Sequence, residues 1–315
     1  MELANKTTVK EFILLSFYSF KQLQVLIFVL VLPMYLITIM GNVAVIILVK
    51  KGPSLHSPMY FFISVFAALE ISFVSATIPK LLASLIADDR RISFMNCFVQ
   101  LYVFGALGIT ECYMLAVMAF DRDLAINHPL RYATIMNNVI CIALASLPFM
   151  IGFVITLIPT VLTAQQNFCG PNEINHYFCD LFPLQSLACS SPLVNNLVVN
   201  ITVAVFSSLT SFILIIGLYT HIIITIIRIK SVEHKHKAFS TCSSHLTVAC
   251  LLYCSAIIIY LKPTNSHNDK FFALIYNIVT PMLNPFIYTL RNKDVKEAIH
   301  KGNPFKLKCC KSEYT

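Results

Sequence analysis

Charge is what this 315-residue chain has least of: Asp, Glu, Lys and Arg together make up 12% of it, against 57% hydrophobic residues. A soluble domain carries about 25% charged residues because its surface must face water. The shortage, with a mean hydropathy of +0.75, excludes an ordinary water-soluble protein and predicts a surface that faces lipid. Tryptophan is absent altogether. The chain has no Gly-x-Ser-x-Gly and no His-Glu-x-x-His stretch, which removes the nucleophile-elbow and zinc-protease classes of enzyme. It also lacks the paired, related halves expected of many transporters, so a membrane transporter of a small solute stands only as the alternative reading.

What is present is a series of seven apolar runs, each long enough for the roughly 20 residues that cross a bilayer core. They are Gln24–Val49, Pro58–Ile86, Cys97–Phe120, Val139–Ala164, Asn196–Ile227, Ala238–Leu261 and Phe271–Leu290. Inside them the acids are Glu70 and Glu111 and the base is Lys80. Long continuous runs satisfy their backbone in lipid as helices, whereas barrel strands would be short and alternating. The expected fold is therefore all-α, a seven-transmembrane helix bundle at 24–290 between a tail at 1–23 and a second tail at 291–315. Basic residues fix its orientation. Fifteen of the 23 Lys and Arg fall on the side of the even-numbered tail and loops that includes the C-terminus, and eight on the other. The N-terminus is thus expected outside. The net charge of +8 reads as topology and contact with anionic membrane lipid, not as nucleic-acid binding.

Met1–Lys10 is polar and the first run exceeds a signal-peptide core, so that run is expected to act as an uncleaved anchor. Asn5-Lys6-Thr7 fits the glycosylation pattern on the outer tail, while Asn200-Ile201-Thr202 lies within a run. Of eleven cysteines, Cys97, Cys169, Cys179 and Cys189 fall at the outer side, where disulfides persist. Their pairing is left open. Cys112, Cys141, Cys242, Cys250 and Cys254 fall in helices as small hydrophobes. Cys309 and Cys310 lie beside Lys306, Lys308 and Lys311 and read equally as palmitoylation sites or free thiols. Glu233-His234-Lys235-His236 reads as a solvated basic loop and not as a metal centre, and no cofactor is called for.

Four motifs carry a family resemblance: Pro58-Met59-Tyr60-Phe61-Phe62, MAFDRDLAINHPLRY (Met118 to Tyr132), KAFSTCSSHL (Lys237 to Leu246) and PMLNPFIYTLRNKDVKEAI (Pro281 to Ile299). In this order, each at a membrane edge, they resemble the rhodopsin-like G-protein-coupled receptors, and within them the olfactory receptors of the tetrapod type. The resemblance implies a plasma-membrane receptor, not an enzyme. It would bind a small odorant and activate a heterotrimeric G protein of the stimulatory olfactory type, raising cyclic AMP.

By that resemblance Asp121-Arg122 is the signalling pair at the end of the third run. The third member, normally Tyr, is Asp123 here, and Asn127 stands where the family often has Cys. Two carboxylates flanking Arg122 imply a tighter hold on it or a changed G-protein contact; the alternative is an Asp123 that points to solvent. Asn284-Pro285-Phe286-Ile287-Tyr288 matches the family's switch in the seventh run, where proline weakens the helix. Tyr253 takes the place of the missing tryptophan. Val295 and Ile299 among lysines suggest a short helix on the inner membrane surface.

Glu70 and Glu111, with Asn42 and Asn284, resemble the superfamily's cation site and could share a sodium ion or a proton. The odorant site implied by the resemblance lies in the outer half. Its candidates are Phe104, Gly105, Gly108 and Ile109 on the third run; Val203, Phe206 and Ser207 on the fifth; Ala256, Ile259 and Tyr260 on the sixth; and Tyr276 and Thr280 on the seventh. No aspartate stands at Phe104, which speaks against an amine ligand.

Overall fold

The computed structural model describes residues 9–18, 21–87, 89–169, 171–189, 199, 209–260 and 269–290. The calls on Asn5, Val203, Phe206, Ser207, Val295, Ile299, Cys309 and Cys310 lie outside the described residues, as do the side chains of Ala256, Ile259 and Tyr260.

The seven runs are helical wherever they are described. They are α1 (Lys21–Lys51), α2 (Pro58–Ile86), α3 (Phe94–Asn127), α5 (Asn138–Ala164), α7 (Thr210–Arg228), α8 (Val232–Tyr260) and α9 (Asp269–Leu290), with short helices α4 (Pro129–Ile135) and α6 (Leu181–Gln185) between them. Six of the seven are long and apolar enough to cross a membrane, and α8 carries a shorter apolar stretch, Cys242–Ser255. Side-chain caps set several starts. Ser93 Oγ accepts from the Asn96 amide at 3.2 Å, Asn137 Oδ1 accepts from the Ile140 amide at 3.0 Å, and Pro58 opens α2 at a position where its missing N–H costs nothing. Val25, Met40, Ile142, Met150 and Ile227 lie exposed on the outer faces of the bundle, the arrangement a lipid solvent demands.

Helix α3 runs through the middle, packed against α2, α5, α7 and α8. Its tightest neighbour is α5, and the reason is Gly152. A Cβ there would come within 2.4 Å of both the Ala106 carbonyl oxygen and Thr110 Oγ1, so the two backbones approach only because that residue has no side chain.

One expectation is corrected. The third run does not end at Phe120: α3 continues to Asn127, so Arg122 is well inside the helix and gains little from its C-terminal dipole. The all-α bundle also carries a small sheet. On the outer side β1 (Glu11–Leu14) is the centre of a three-stranded sheet, antiparallel to β2 (Arg91–Ser93) and parallel to β3 (Glu173–Ile174). The outer tail is therefore partly built into the lid over the bundle. The sheet buries Phe12, Leu14, Ile92 and Ile174, which supplies the apolar contact that such short strands need.

Candidate functional site

Disulfides Cys97–Cys179 and Cys169–Cys189 resolve the open pairing. The first ties the loop after α5 to the start of α3, and the second closes a loop within it. That loop then dips over the bundle. The Cys179 amide donates to Gln100 Oε1 at 3.0 Å, Tyr177 OH accepts from Asn277 Nδ2 of α9 at 2.7 Å, and Lys270 Nζ donates to the Ser16 carbonyl at 2.8 Å and to Asn175 Oδ1 at 3.3 Å. Within the lid, burial with the nearby Lys270 ammonium pushes the His176 imidazole down to about 3. Burial pushes Asp180 up to about 6, although its carboxylate caps α6 at the Leu181 amide, 2.8 Å away.

Beneath the lid, aromatic rings pack together where the resemblance puts the odorant chamber. Phe104 is stacked on Phe73 of α2, with centroids 4.8 Å apart, and meets Phe178 of the lid at 4.7 Å. Tyr276 stands edge-on to Phe73 at 6.0 Å. Ile109 and Thr280 are buried. Gly108 lies beside Phe73, 3.7 Å from where its Cβ would be. Gly105 is not part of this chamber: its missing Cβ would meet Thr156 Cγ2 of α5 at 2.9 Å, so that glycine serves helix packing. Phe73, Phe178, Tyr177 and Asn277 escaped the sequence reading because α2, the lid loop and the outer half of α9 carry no motif at those positions. A separate open cavity of about 580 Å3 lies on the outer side between α2 and α3, beside the Lys80–Asp89 ion pair.

Polar groups gather midway down the bundle. Glu70 and Glu111 are buried close to one another, and Asn284 Nδ2 donates to Glu70 Oε1. Glu70 Oε2 and Glu111 Oε1 have no hydrogen-bond partner. Three of the four expected residues thus converge. Asn42 instead donates to the Thr38 carbonyl at 3.0 Å and reaches the Pro281 carbonyl at 3.5 Å, bridging α1 to the weak point of α9. Pro285 packs where Gly41 of α1 leaves room. Tyr253 OH donates to Ser211 Oγ of α7 at 2.8 Å, and Tyr288 is buried edge-on to Phe66.

At the inner end, Asp121, Arg122 and Asp123 point three ways because consecutive helical residues are turned by about 100°. Asp121 Oδ1 accepts from Tyr132 OH at 2.7 Å; burial and that carboxylate hold the phenol well above its ordinary range, so it stays a donor. Arg122 is half-buried. Tyr219 OH and His245 Nδ1 are hydrogen-bonded to one another. Asp123 is buried against α7, its Oδ1 2.8 Å from His221 Nδ1 and 2.7 Å from Asn127 Nδ2. The expected double hold on Arg122 is therefore absent among the described residues, and so is the solvent-facing Asp123. No group of three or more His, Cys, Asp or Glu fit for a metal occurs among the described residues either.

The family profile described as olfactory receptor matches residues 31–303. Over 304 residues the chain is 44% identical to Olfactory receptor 6E1 of Mus musculus, covering 95% of this chain and 96% of that protein. It is 41% identical to Olfactory receptor 6N1 of Homo sapiens over 96% of this chain and 97% of the other. The crystal structure of squid rhodopsin superposes with a TM-score of 0.69 at 16% identity, over 92% of this chain and 88% of that one, which carries the seven-helix fold. The chain belongs to the olfactory receptor family, and is a multi-pass plasma-membrane G-protein-coupled receptor, not an enzyme.

Proposed function

We propose that the receptor takes a small, volatile, mostly apolar odorant in its outer half and answers through a stimulatory G protein that raises cyclic AMP. The observation that supports this reading is the aromatic chamber of Phe73, Phe104, Tyr276 and Phe178 beneath a disulfide-pinned lid. Such walls reward apolar surface and offer few charged partners. Phe104 and Arg122 are eighteen residues apart on one helix, about 27 Å at 1.5 Å per residue. A ligand at the first cannot touch the second. The signal is a shift between two packings of the bundle, driven by the ligand's preference for one of them.

The polar belt between the two ends is suited to that shift. Two carboxyls in contact in lipid cannot both hold bare charge cheaply. Glu70, Glu111 and Asn284 therefore form a site for one sodium ion or one proton, whose loss re-sorts the bonds beside the proline-weakened part of α9. The test is odorant-evoked cyclic AMP in cells that supply an olfactory-type stimulatory G protein. Arg122→Ala is expected to abolish the response at unchanged surface density, and a retained response refutes the assigned role.

A further inference from the structure

Two pairs of residues, each spaced i and i+4, face each other where α3 meets α7. Asp123 and Asn127 stand on α3; His221 and Thr225 stand on α7. This spacing brings side chains onto one helical face. The donors run in one direction. The Thr225 hydroxyl donates to Asn127 Oδ1, Asn127 Nδ2 donates to Asp123 Oδ1 at 2.7 Å, and His221 Nδ1 donates to the same oxygen at 2.8 Å. Asn127 Nδ2 also lies 3.2 Å from His221 Nδ1, but a bare nitrogen lone pair 2.8 Å from a carboxylate oxygen would be repelled, so Nδ1 carries a proton. The Asp123 side chain is 10% exposed and that of His221 is 56% exposed. The acid is thus sheltered while the imidazole can exchange a proton with water.

The remaining charged groups at this end are otherwise engaged or turned away. Arg122 is half-buried, and among the described residues it forms no ion pair with Asp123. Asp121 is bound to Tyr132. Lys235, near the start of α8, turns to the Ile227 carbonyl. Arg228 and Glu233 flank the turn between α7 and α8, with Glu233 exposed, and His128 and Arg131 are exposed on the far side of α3. The side chains of His234 and His236 lie outside the described residues. Among the described residues Asp123 is the acid that pairs with His221.

We propose that Asp123 and His221 form a proton-strengthened clamp between α3 and α7 that holds down basal coupling to the G protein. It deepens the coupling reading above and rests on it. A phenol, the family's usual group at this position, could not neutralise an imidazolium. Asp123 does, so the pair tightens when the imidazole is charged and slackens when it is neutral. The inner end of the bundle must open to admit a transducer, and a bond across α3 and α7 opposes that opening. Asp123 and His221 act by positioning the helices and touch no reacting group.

The test uses the full chain in lipid nanodiscs, with receptor-free nucleotide exchange by the G protein subtracted at each pH. Asp123→Asn and His221→Gln are each expected to raise basal exchange roughly threefold, and the double variant no more than either alone, as members of one pair do. Exchange by the unaltered receptor should fall from about pH 7.5 to about pH 6, both variants should be flat, and Asp123→Glu should restore the slope. Additive effects, or an unaltered slope in the variants, overturn the clamp. Genetically encoded spin labels at the exposed positions Thr134 and Ile227 give a reading independent of coupling. Their separation should lengthen in both variants and, in the unaltered receptor, as pH rises. A fixed separation overturns the clamp whatever exchange does. A separation that moves while no form drives exchange overturns the coupling reading instead.

Discussion

The lid carries two titrating groups whose pH dependences oppose each other. His176 is held down to about 3 by burial and the Lys270 ammonium, so a lid that opens takes up a proton the closed lid refuses. Its contribution to closure is full above about pH 6.5 and is lost as pH falls towards 3. Asp180 is raised to about 6 by burial. The closed lid binds that proton more tightly than the open one, so its contribution is full below about pH 4 and lost as pH rises through 6. At pH 5.5 linkage gives a cost of about 1.4 kcal/mol from His176 and a gain of about 0.8 kcal/mol from Asp180, both relative to neutral pH. The unaltered lid should then open only about threefold more often at pH 5.5 than at pH 7.5. Asp180→Asn keeps the cap on α6 and removes the compensating group, so its opening should rise about tenfold over the same interval. His176→Gln should reverse the sign, closing about fourfold more tightly in acid. Hydrogen exchange of the 171–180 backbone, corrected for intrinsic rates, measures all three. Equal slopes in the three proteins, or slopes of the same sign in the two variants, refute the assignment.

Gly152→Ala should lower the melting temperature by the equivalent of about 1–3 kcal/mol, because its Cβ meets a backbone oxygen of α3; Gly152→Val, whose two further methyls add to that clash, should fail to reach the cell surface. Removing Cys97–Cys179, which spans 82 residues, should cost about 4–5 kcal/mol, and removing Cys169–Cys189, which spans 20, about 3 kcal/mol, read as loss of properly folded receptor at the surface. Sodium titration should change odorant potency in the unaltered receptor and leave Glu70→Gln unmoved; an equal sodium effect in both would remove the ion from that site. Phe104→Ala should weaken responses to apolar odorants about tenfold or more while basal signalling stays measurable, since the ring holds both Phe73 and Phe178.

The membrane spans and the motif-bearing ends were legible in the sequence because lipid permits so few backbone solutions that hydropathy alone identifies them. Direction was harder. That Asp121, Arg122 and Asp123 diverge follows from helical rotation, yet which neighbour each meets depends on how α7 and the segment after α3 pack, and no local pattern encodes that. The 1–23 tail shows the same limit. Glu11–Leu14 is too short for any strand signal, and its pairing is set by partners roughly 80 and 160 residues away. The chamber was half legible: Phe104 and Tyr276 stood at family positions, whereas Phe73 and Phe178 meet them only through the tertiary fold. Glycines deceived in one place, since Gly105 makes room for Thr156 and not for a ligand.

The order in which β1 finds its partners has a consequence for biosynthesis. The strand is among the first parts of the chain to be made, but β2 is reached only after α2 and β3 only after α5. The first translocated segment therefore waits until Ile174 has been made before its sheet is complete. Until α5 has been inserted, Phe12 and Leu14 have no burial site in the lid, and the nascent tail presents apolar residues to the lumen. A receptor stalled at that stage offers quality-control machinery an unpaired strand, and fusions or glycans near Asn5 bear on its release from the synthesising compartment.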